Sequence, residues 1–284
     1  MNKEKALKNQ GLEFREDMSI KGGSNMINII IGELGKLKRY SILWIGVVTV
    51  FFSAVVATFQ TGTFDAPMYQ LFYNNVIWNN FSLVFPFMIV LIGGFLINRE
   101  YTDNTLKNML TVPISFREML VGKLIVTGIL TIMFAVFSFV CTVILAVTAL
   151  HVTDITPTLL RVSLYQIVGV GFFNFLAVAP VIAWFARKRN GFFTGVGLAF
   201  FYGFCGIFVA GRKLTDFYPV TAGLGIIQYT GQEDMTYNPI VGSSILFCVV
   251  VLTTLIVAFT PPYDKVMAVP EKKSKKKHSA KNAK

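Results

Sequence analysis

Residues 98–124, NREYTDNTLKNMLTVPISFREMLVGKL, form a charged segment in a chain that is otherwise strongly apolar. The segment carries seven charged side chains, whereas charged residues make up 14% of the whole sequence. Glu100 and Asp103 stand just before a short helical pattern. Acidic groups suit that place, because the free N–H groups at a helix N-terminus attract negative charge. These residue types therefore favour a short, capped helix.

The helical pattern in this segment has one apolar face and a defined end. Its apolar positions are Leu106, Met109 and Leu110, at i, i+3 and i+4. Pro113 ends the pattern, because the residue before a proline avoids the helical conformation. Ser115-x-x-Glu118 then matches a capping box, which predicts the start of a second helix. An apolar triplet ringed by charges is typical of a surface that docks into a groove on another protein.

The stretches on either side of the segment have the length and composition of membrane spans. The chain is 54% hydrophobic with a mean hydropathy of +0.60, and a helical span needs about 20 mainly apolar residues. Six stretches meet this requirement, and none of them contains Lys, Arg, Asp or Glu: 41–60, 76–97, 124–150, 162–186, 191–210 and 239–260. The sequence therefore predicts an all-α membrane protein with six transmembrane helices.

The basic residues predict the orientation of these spans. With the N-terminus inside, 23 of the 26 Lys and Arg residues fall on the cytoplasmic side, as the positive-inside rule requires. Both termini and residues 98–123 are then cytoplasmic. The net charge of +11 is explained by this bias, so it does not indicate a nucleic-acid partner.

The parts of the chain outside the spans differ in character. Residues 26–40 place Ile27, Ile30, Leu34 and Leu37 on one face, which favours an amphipathic helix at the membrane interface. The alternative is a plain cytoplasmic extension of the first span. Residues 41–262 form the six-span transmembrane domain, and residues 263–284 are a Lys-rich cytoplasmic tail, either solvated or attracted to anionic lipid.

Residues 1–25 are a polar extension with an unusual end. The codons for KGGSNM at residues 21–26 could read as a purine-rich ribosome-binding sequence ahead of a start codon. We therefore expect Met26 to be the natural start and residues 1–25 to be a translated leader. Mass spectrometry of the native protein tests this expectation, which an N-terminus at Met1 would contradict.

Three features inside or between the spans have two interpretations each. Asn79, Gln166 and Asn174 could line a transport pathway or bond to neighbouring helices. Gly191, Gly195, Ala199 and Gly203 form a small-residue ladder for close packing, either within the chain or, as we prefer, against a second copy. The apolar patch 220–229 is either a re-entrant or interfacial helix or a plain loop. Separately, Pro86 and Pro180 predict bends in the second and fourth spans.

The composition also argues against several classes of function. Ion-coupled pumps and intramembrane hydrolases need ionisable groups inside the membrane, and the six spans have no carboxylate, Lys or Arg. The sequence contains no GxxxxGK[ST] phosphate loop, and it shows no disulfide framework or metal-binding spacing. We expect a transport subunit that is not an enzyme and that takes its energy from a separate subunit.

The residues E-Y-x-x-x-T-L-K-x-x-L-x-x-P-I-S-x-x-x-x-L-x-G-K, from Glu100 to Lys123, resemble the loop between the second and third spans of type-2 ABC exporter permeases. The likeness is greatest to the subgroup associated with bacitracin resistance and lantibiotic immunity. In that family the loop is a coupling helix that docks on a separately encoded ATPase subunit. The interfacial helix, the six spans and the longer outer segment between the fifth and sixth spans agree with the family pattern.

The resemblance implies a set of docking residues and partners. The docking set is Glu100, Asp103, Thr105, Leu106, Lys107, Met109, Leu110, Pro113 and Ser115. ATP and Mg²⁺ would be bound by the partner ATPase, and this chain would carry no cofactor and no metal. A second permease copy, identical or related, would complete the transporter in a bacterial plasma membrane.

The function that the resemblance implies is export of an amphipathic substrate, with a peptide antibiotic as the best candidate. Spans that are rich in Phe and free of charge suit a molecule that partitions into the bilayer. The alternative is a membrane receptor or regulatory scaffold that does not transport and that uses the same loop to hold a cytosolic partner without ATPase activity.

Overall fold

The computed structural model describes residues 26–37, 40–63, 68–102, 115–188, 191–210, 212, 214–231 and 237–261. Within these ranges the regular structure is helical, with no strand. The helices are α1 (26–37), α2 (Ile42–Thr61), α3 (Tyr69–Asn79), a π-helical segment (Asn80–Val84), α4 (Phe85–Thr102), α5 (Phe116–Thr148), α6 (Pro157–Phe185), α7 (Phe192–Val209), α8 (Pro219–Ile226) and α9 (Pro239–Ala258). The all-helical fold class is confirmed.

Six of these helical stretches are long and apolar enough to cross a membrane. They are α2, the continuous stretch Tyr69–Thr102, α5, α6, α7 and α9, in the order that the hydropathy predicts. Residues 103–114 of the charged segment lie outside the described ranges. Within the segment, Thr102 is the last residue of α4 and Phe116 is the first residue of α5. Those two residues therefore end the second span and begin the third at the same end of the bundle.

The second span forms the centre of the bundle. Of its most apolar window, 67% is buried within the protein, compared with 17% for the sixth span. It packs on α2, α5, α6 and α7, and α6 in turn packs on α5, α8 and α9. The outward faces of α2, α7 and α9 are apolar and exposed, as expected of lipid-facing or partner-facing surfaces.

The second span starts seven residues earlier than the hydropathy predicts, at Tyr69 rather than at 76. Most of the extra residues are polar, and several of their groups find hydrogen-bond partners inside the bundle. The backbone N–H of Tyr69 donates to the Asp154 carboxylate at 3.0 Å, its hydroxyl lies 2.9 Å from Ser163 Oγ, and Asn75 Nδ2 donates to Thr61 Oγ1 at 3.0 Å. Internal hydrogen bonds of this kind let polar residues enter a membrane helix.

The π-helical segment lies directly before Pro86, where the sequence predicts a bend. Proline has no N–H and cannot give the Ser82 carbonyl the usual i→i−4 bond. One residue earlier, the Phe85 N–H donates to the Asn80 carbonyl five residues back, which is the π-helical pattern. The Ser82 carbonyl and the Pro86 ring then face Gly203 on α7, where an added Cβ would lie 2.4 Å and 2.9 Å from them. Only glycine permits this approach.

The small-residue ladder on α7 has its neighbours inside the chain. Ala199 is fully buried, Gly195 lies against the Phe185 side chain, and Gly203 lies against the second span. At the foot of the ladder, Gly191 contacts the chain's own α6–α7 turn. The preference for a second copy as the neighbour of this ladder is therefore wrong, because the stripe is already covered by the second and fourth spans.

The apolar patch after α7 forms a short buried helix rather than a plain loop. Residues 220–225 of α8 are all buried, against α6 and α9. An added Cβ at Gly223 would lie 2.5 Å from the Phe173 side chain, and one at Gly242 of α9 would lie 2.7 Å from the Ala222 carbonyl. Two glycines therefore allow a helix too short to span the membrane to pack within the bundle.

Gly203→Val tests the contact between the second and fifth spans. The new side chain would overlap the Ser82 carbonyl, and overpacking of this kind costs about 1–3 kcal/mol. We expect a lower midpoint of thermal unfolding in detergent. Gly197→Val is the matched control, because it lies on the same helix with nothing within 4 Å of its added Cβ. Equal effects of the two substitutions would contradict the packing described here.

Candidate functional site

A buried charge cluster lies at the end of the bundle that carries the 103–114 connection. Lys123 on α5 is 1% exposed. Its ammonium group lies 2.7 Å from Glu33 Oε2 on α1 and 2.9 Å from Glu100 Oε1 on α4. One ammonium therefore binds carboxylates from two other helices. These ionic contacts join α1 to the second and third spans.

A second lysine completes the charge cluster from its exposed side. Lys36 Nζ lies 2.7 Å from Glu33 Oε1 and 3.3 Å from Glu100 Oε1. Burial disfavours its ammonium form, but the hydrogen bond to Glu33 and the charges of Glu33 and Glu100 outweigh that effect, so the pKa of Lys36 is raised above its ordinary value. Among the described residues, two carboxylates face two ammonium groups in this cluster.

The three helices bring these side chains together because each one carries a charge within its buried face. On α1, Glu33 lies between Ile30, Leu34 and Leu37, all packed on the core. On α5, Lys123 follows the buried Met119 and Leu120 at i+4 and i+3. At Gly122 the two helices approach closely, since an added Cβ would lie 2.6 Å from Ile29 Cγ2.

The two ends of the 103–114 connection are anchored to other helices. On the α4 side, the Tyr101 hydroxyl donates to the Ala186 carbonyl at the end of α6 at 2.7 Å. On the α5 side, Arg117 Nε donates to the Thr260 carbonyl after α9 at 3.0 Å. The rings of Tyr101 and Phe116 pack together with centroids 6.5 Å apart, so the two ends also touch each other.

The predicted capping box at the start of α5 is confirmed. The Glu118 backbone N–H donates to Ser115 Oγ at 3.2 Å, and the Ser115 N–H donates to Glu118 Oε2 at 2.8 Å. These bonds satisfy N–H groups that the first turn of a helix leaves free. The third span therefore begins at a fixed residue.

Of the nine residues predicted to dock a partner, the structure describes only Glu100 and Ser115. Glu100 is buried within the charge cluster, and Ser115 is an exposed cap. The others lie outside the described residues: Asp103, Thr105, Leu106, Lys107, Met109, Leu110 and Pro113. Their docking role stays a prediction. The carboxylate of Glu100 has partners within its own chain.

The three residues proposed for a pathway bond to three different elements. Asn79 forms an amide pair with Gln60 of α2, with Asn79 Nδ2 donating to Gln60 Oε1 at 3.0 Å. Gln166 Nε2 donates to the Ile227 and Gln228 carbonyls after α8, at 3.1 and 3.0 Å. Asn174 Nδ2 bonds to the Val170 carbonyl on its own helix at 3.0 Å. Asn79 and Gln166 therefore join elements, as the alternative interpretation expects.

Two polar groupings were not anticipated from the sequence. One is the charge cluster, for which Glu33, Lys36 and Lys123 were not identified. The other is a buried chain in which Ser53 Oγ donates to Asn80 Oδ1 at 2.7 Å and Asn80 Nδ2 donates to Ser138 Oγ at 2.9 Å. This chain joins α2, the π-helical segment and α5. Both groupings hold helices in register, and neither has the nucleophile and base of a catalytic site.

Lys123→Met tests how strongly the charge cluster depends on its buried cation. The substitution removes the ammonium nearest to the buried Glu33 and Glu100 and leaves them the partly exposed Lys36 among their described ion-pair partners. Breaking a buried ion pair costs about 3–5 kcal/mol. Adding Glu100→Gln restores charge balance around the remaining Glu33–Lys36 pair and should recover most of that loss in thermal unfolding.

Lys36→Met is the matched control for this prediction. The Lys36 side chain is 46% exposed, and exposed ion pairs contribute only about 0–1 kcal/mol, so we expect a small effect. A Lys123→Met protein that unfolds like the wild type, or a double variant as unstable as the single one, would contradict the pairing described here.

Comparison with known proteins places the chain in a family. Residues 29–206 match the family described as ABC-2 family transporter protein, which is more than half of the chain and extends from α1 into α7. The bacitracin transport permease protein BCRB of Bacillus licheniformis is 31% identical over 91 residues, which cover 32% of this chain and 43% of that protein. The alignment thus spans less than half of the relative. The resemblance predicted from residues 100–123 is confirmed: the chain belongs to the ABC-2 transporter family and is a multi-pass membrane permease rather than an enzyme.

Proposed function

We propose that this chain is the membrane subunit of an ATP-driven exporter, in which a separate ATPase subunit docks on residues 103–114. The family match over residues 29–206, which includes the charge cluster and both anchored ends of that connection, is the observation that carries the proposal. The sequence has no phosphate loop of its own, so the energy has to come from a partner.

The charge cluster gives this coupling a physical route. A force on residues 103–114 acts first on Thr102 and Phe116, which end α4 and begin α5. Glu100 and Lys123 lie two and seven residues inside those ends, and the Lys123 ammonium binds both Glu100 and Glu33 on α1. Separating buried ions is costly. The end of the second span, the start of the third and the interfacial helix therefore move as one unit.

The substrate that we propose is an amphipathic peptide antibiotic, and the biological role is resistance or immunity in a bacterial cell membrane. Support comes from the relative, which is named a bacitracin transport permease, and from the exposed apolar surface of the spans. That surface includes Phe201 and Phe208 on α7 and Phe52 on α2. A molecule that partitions into the bilayer can reach such a surface without crossing water.

A second permease copy is part of the proposal, and its contact surface differs from the one that the small-residue ladder suggested. The ladder is buried within the chain, so we place the second copy on the outward faces of α2 and α7. Both helices contact the π-helical segment, and both expose large apolar side chains, among them Trp44 and Phe204.

Leu106→Asp tests the docking segment. We expect the wild-type chain, purified from its native host in mild detergent, to carry an ATPase subunit in roughly equal amount, with two copies of each by native mass spectrometry. A buried aspartate in place of a docking leucine should remove the ATPase, because an unpaired charge at an apolar contact costs several kcal/mol.

Leu214→Asp is the control for this experiment, since Leu214 is exposed at the opposite end of the bundle. It should leave the ATPase bound and the folding midpoint unchanged. A wild-type chain that is recovered with a partner lacking ATPase activity, or without any partner, would overturn the docking proposal and favour a regulatory scaffold.

Antibiotic susceptibility tests the substrate class. Deleting the gene should lower the inhibitory concentration of bacitracin or a related cyclic peptide severalfold, and the wild-type gene should restore it. Leu106→Asp should fail to restore it, whereas Leu214→Asp should succeed. Unchanged susceptibility to a panel of amphipathic peptides would rule out this class while leaving the ATPase docking result intact.

A further inference from the structure

A narrow slot opens beside the second span, on a different face of α4 from the charge cluster. It has about 310 Å³ of empty space, including its open mouth. The lining residues come from three turns of α4, the end of α6 and the start of α7. They are Val90, Gly94, Ile97, Asn98, Tyr101, Ile182, Phe185, Ala186, Lys188, Phe192 and Gly195. Neither the family match nor the relative's name assigns a role to this slot.

The walls of the slot are apolar along most of its length. Val90, Ile97 and Ile182 are buried, and the half-buried rings of Phe185 and Phe192 form two sides. Gly94 lets the Phe192 ring lie close to α4 and form this side, because an added Cβ at Gly94 would lie 2.9 Å from the ring. From Val90 to Tyr101 the slot follows about 16 Å of helix, which suits an extended alkyl chain.

The polar groups of the slot are gathered at one end. The Tyr101–Ala186 hydrogen bond of 2.7 Å closes the floor there, and Asn98 and Lys188 stand beside it, half-exposed and exposed. Next to them, Arg187 lies over the half-exposed ring of Trp184, with its guanidinium carbon 5.3 Å from the ring centroid. Trp with Lys and Arg is typical of the headgroup region of a membrane, so the mouth lies at headgroup depth.

The described carboxylates do not neutralise Lys188. Glu33 and Glu100 bind the lysines of the charge cluster, and Glu118 caps α5. Asp154 and Asp216 accept from backbone N–H groups at the opposite end of the bundle. Among the residues that the structure describes, Lys188 forms no ion pair, and its ammonium lies over the Phe185 ring that lines the slot, 5.9 Å from the ring centroid.

We propose that the slot binds an anionic phospholipid of the surrounding bilayer. One acyl chain lies between α4, α6 and α7, and the phosphate is bound by the Lys188 ammonium and the Asn98 amide. The bilayer supplies such a molecule at the depth of the mouth, on the side that the basic residues predict to be cytoplasmic. Basic pockets between membrane helices recognise lipid headgroups in this way. The proposal rests on membrane residence and does not depend on the transport function.

The experiment measures lipid retention by the full-length chain. The purified protein is delipidated in detergent, and phosphatidylglycerol or phosphatidylcholine with identical acyl chains is added. Native mass spectrometry then counts bound lipids, and thermal unfolding reports stabilisation. We expect one phosphatidylglycerol to be retained in preference to phosphatidylcholine and to raise the unfolding midpoint further.

Two substitutions separate the headgroup from the chain. Lys188→Gln should weaken phosphatidylglycerol binding about fivefold, the loss expected for one lysine at an anionic surface, and should leave phosphatidylcholine unaffected. Gly94→Val should weaken both lipids, because it fills the slot. The matched controls are Arg161→Gln, exposed at the opposite end, and Gly197→Val, which faces open space; neither should change retention.

Three outcomes would overturn the proposal. The first is equal retention of the two lipids, and the second is phosphatidylglycerol binding that is unchanged in Lys188→Gln. The third is a slot covered by a second copy of the chain, which would be detected as a wild-type dimer that Gly94→Val dissociates. If Gly94→Val does not fold, Lys188→Gln alone decides whether the slot binds the lipid. The Lys188 side chain is exposed, so we expect this variant to fold. The assay contains no ATPase subunit and no peptide, so its failure leaves the proposed export function standing.

Discussion

The arrangement of this protein at one end depends on a single buried ammonium group. Lys123 is 1% exposed, and a charge in such surroundings is tolerated only when it is paired and hydrogen-bonded. Its two carboxylates come from α1 and α4, so neither helix can settle elsewhere without leaving a buried ion alone. This requirement brings α1, the end of the second span and the start of the third to one point. It thereby fixes where the 103–114 connection leaves the bundle and where it enters again.

A second constraint governs the middle of the bundle, where backbone groups have no water to bond. Pro86 removes one donor from the second span, and the helix changes to π-helical hydrogen bonding at Asn80–Val84. The altered backbone is covered by Gly203 on one side and bonded through the Asn80 side chain to Ser53 and Ser138 on the other. The end of α8 is satisfied in a similar way, by Gln166. Asn79 and Gln166, two of the three residues that could line a pathway, thus bond to other elements of the bundle.

The sequence predicted the features that depend on local chemistry. Six apolar stretches and the Ser115–Glu118 cap follow from hydropathy and spacing, whereas for residues 220–229 the sequence left a short helix and a plain loop as alternatives. It missed features in which one helix satisfies another. The polar residues 69–75 looked like a loop, because their partners, such as Asp154 and Thr61, lie on distant helices. Glu33 and Lys123 did give a signal, since each stands in the apolar stripe of its helix, but the partner of a buried charge is not visible in one stripe. The ladder on α7 predicted close packing without identifying the neighbour.

The two sides of α4 explain where a movement of the 103–114 connection would be expressed. On one side the charge cluster resists separation of α4 from α1 and α5, since breaking it would cost about 3–5 kcal/mol. On another side α4 meets α7 across a slot that is apolar and partly open, where contacts slide at less cost. A force on the connection therefore moves α4 with α1 and α5 and changes its contact with α7. That contact ends at Gly203 and the π-helical segment, so a movement of α4 would reach the stretch where the second span departs from regular helix.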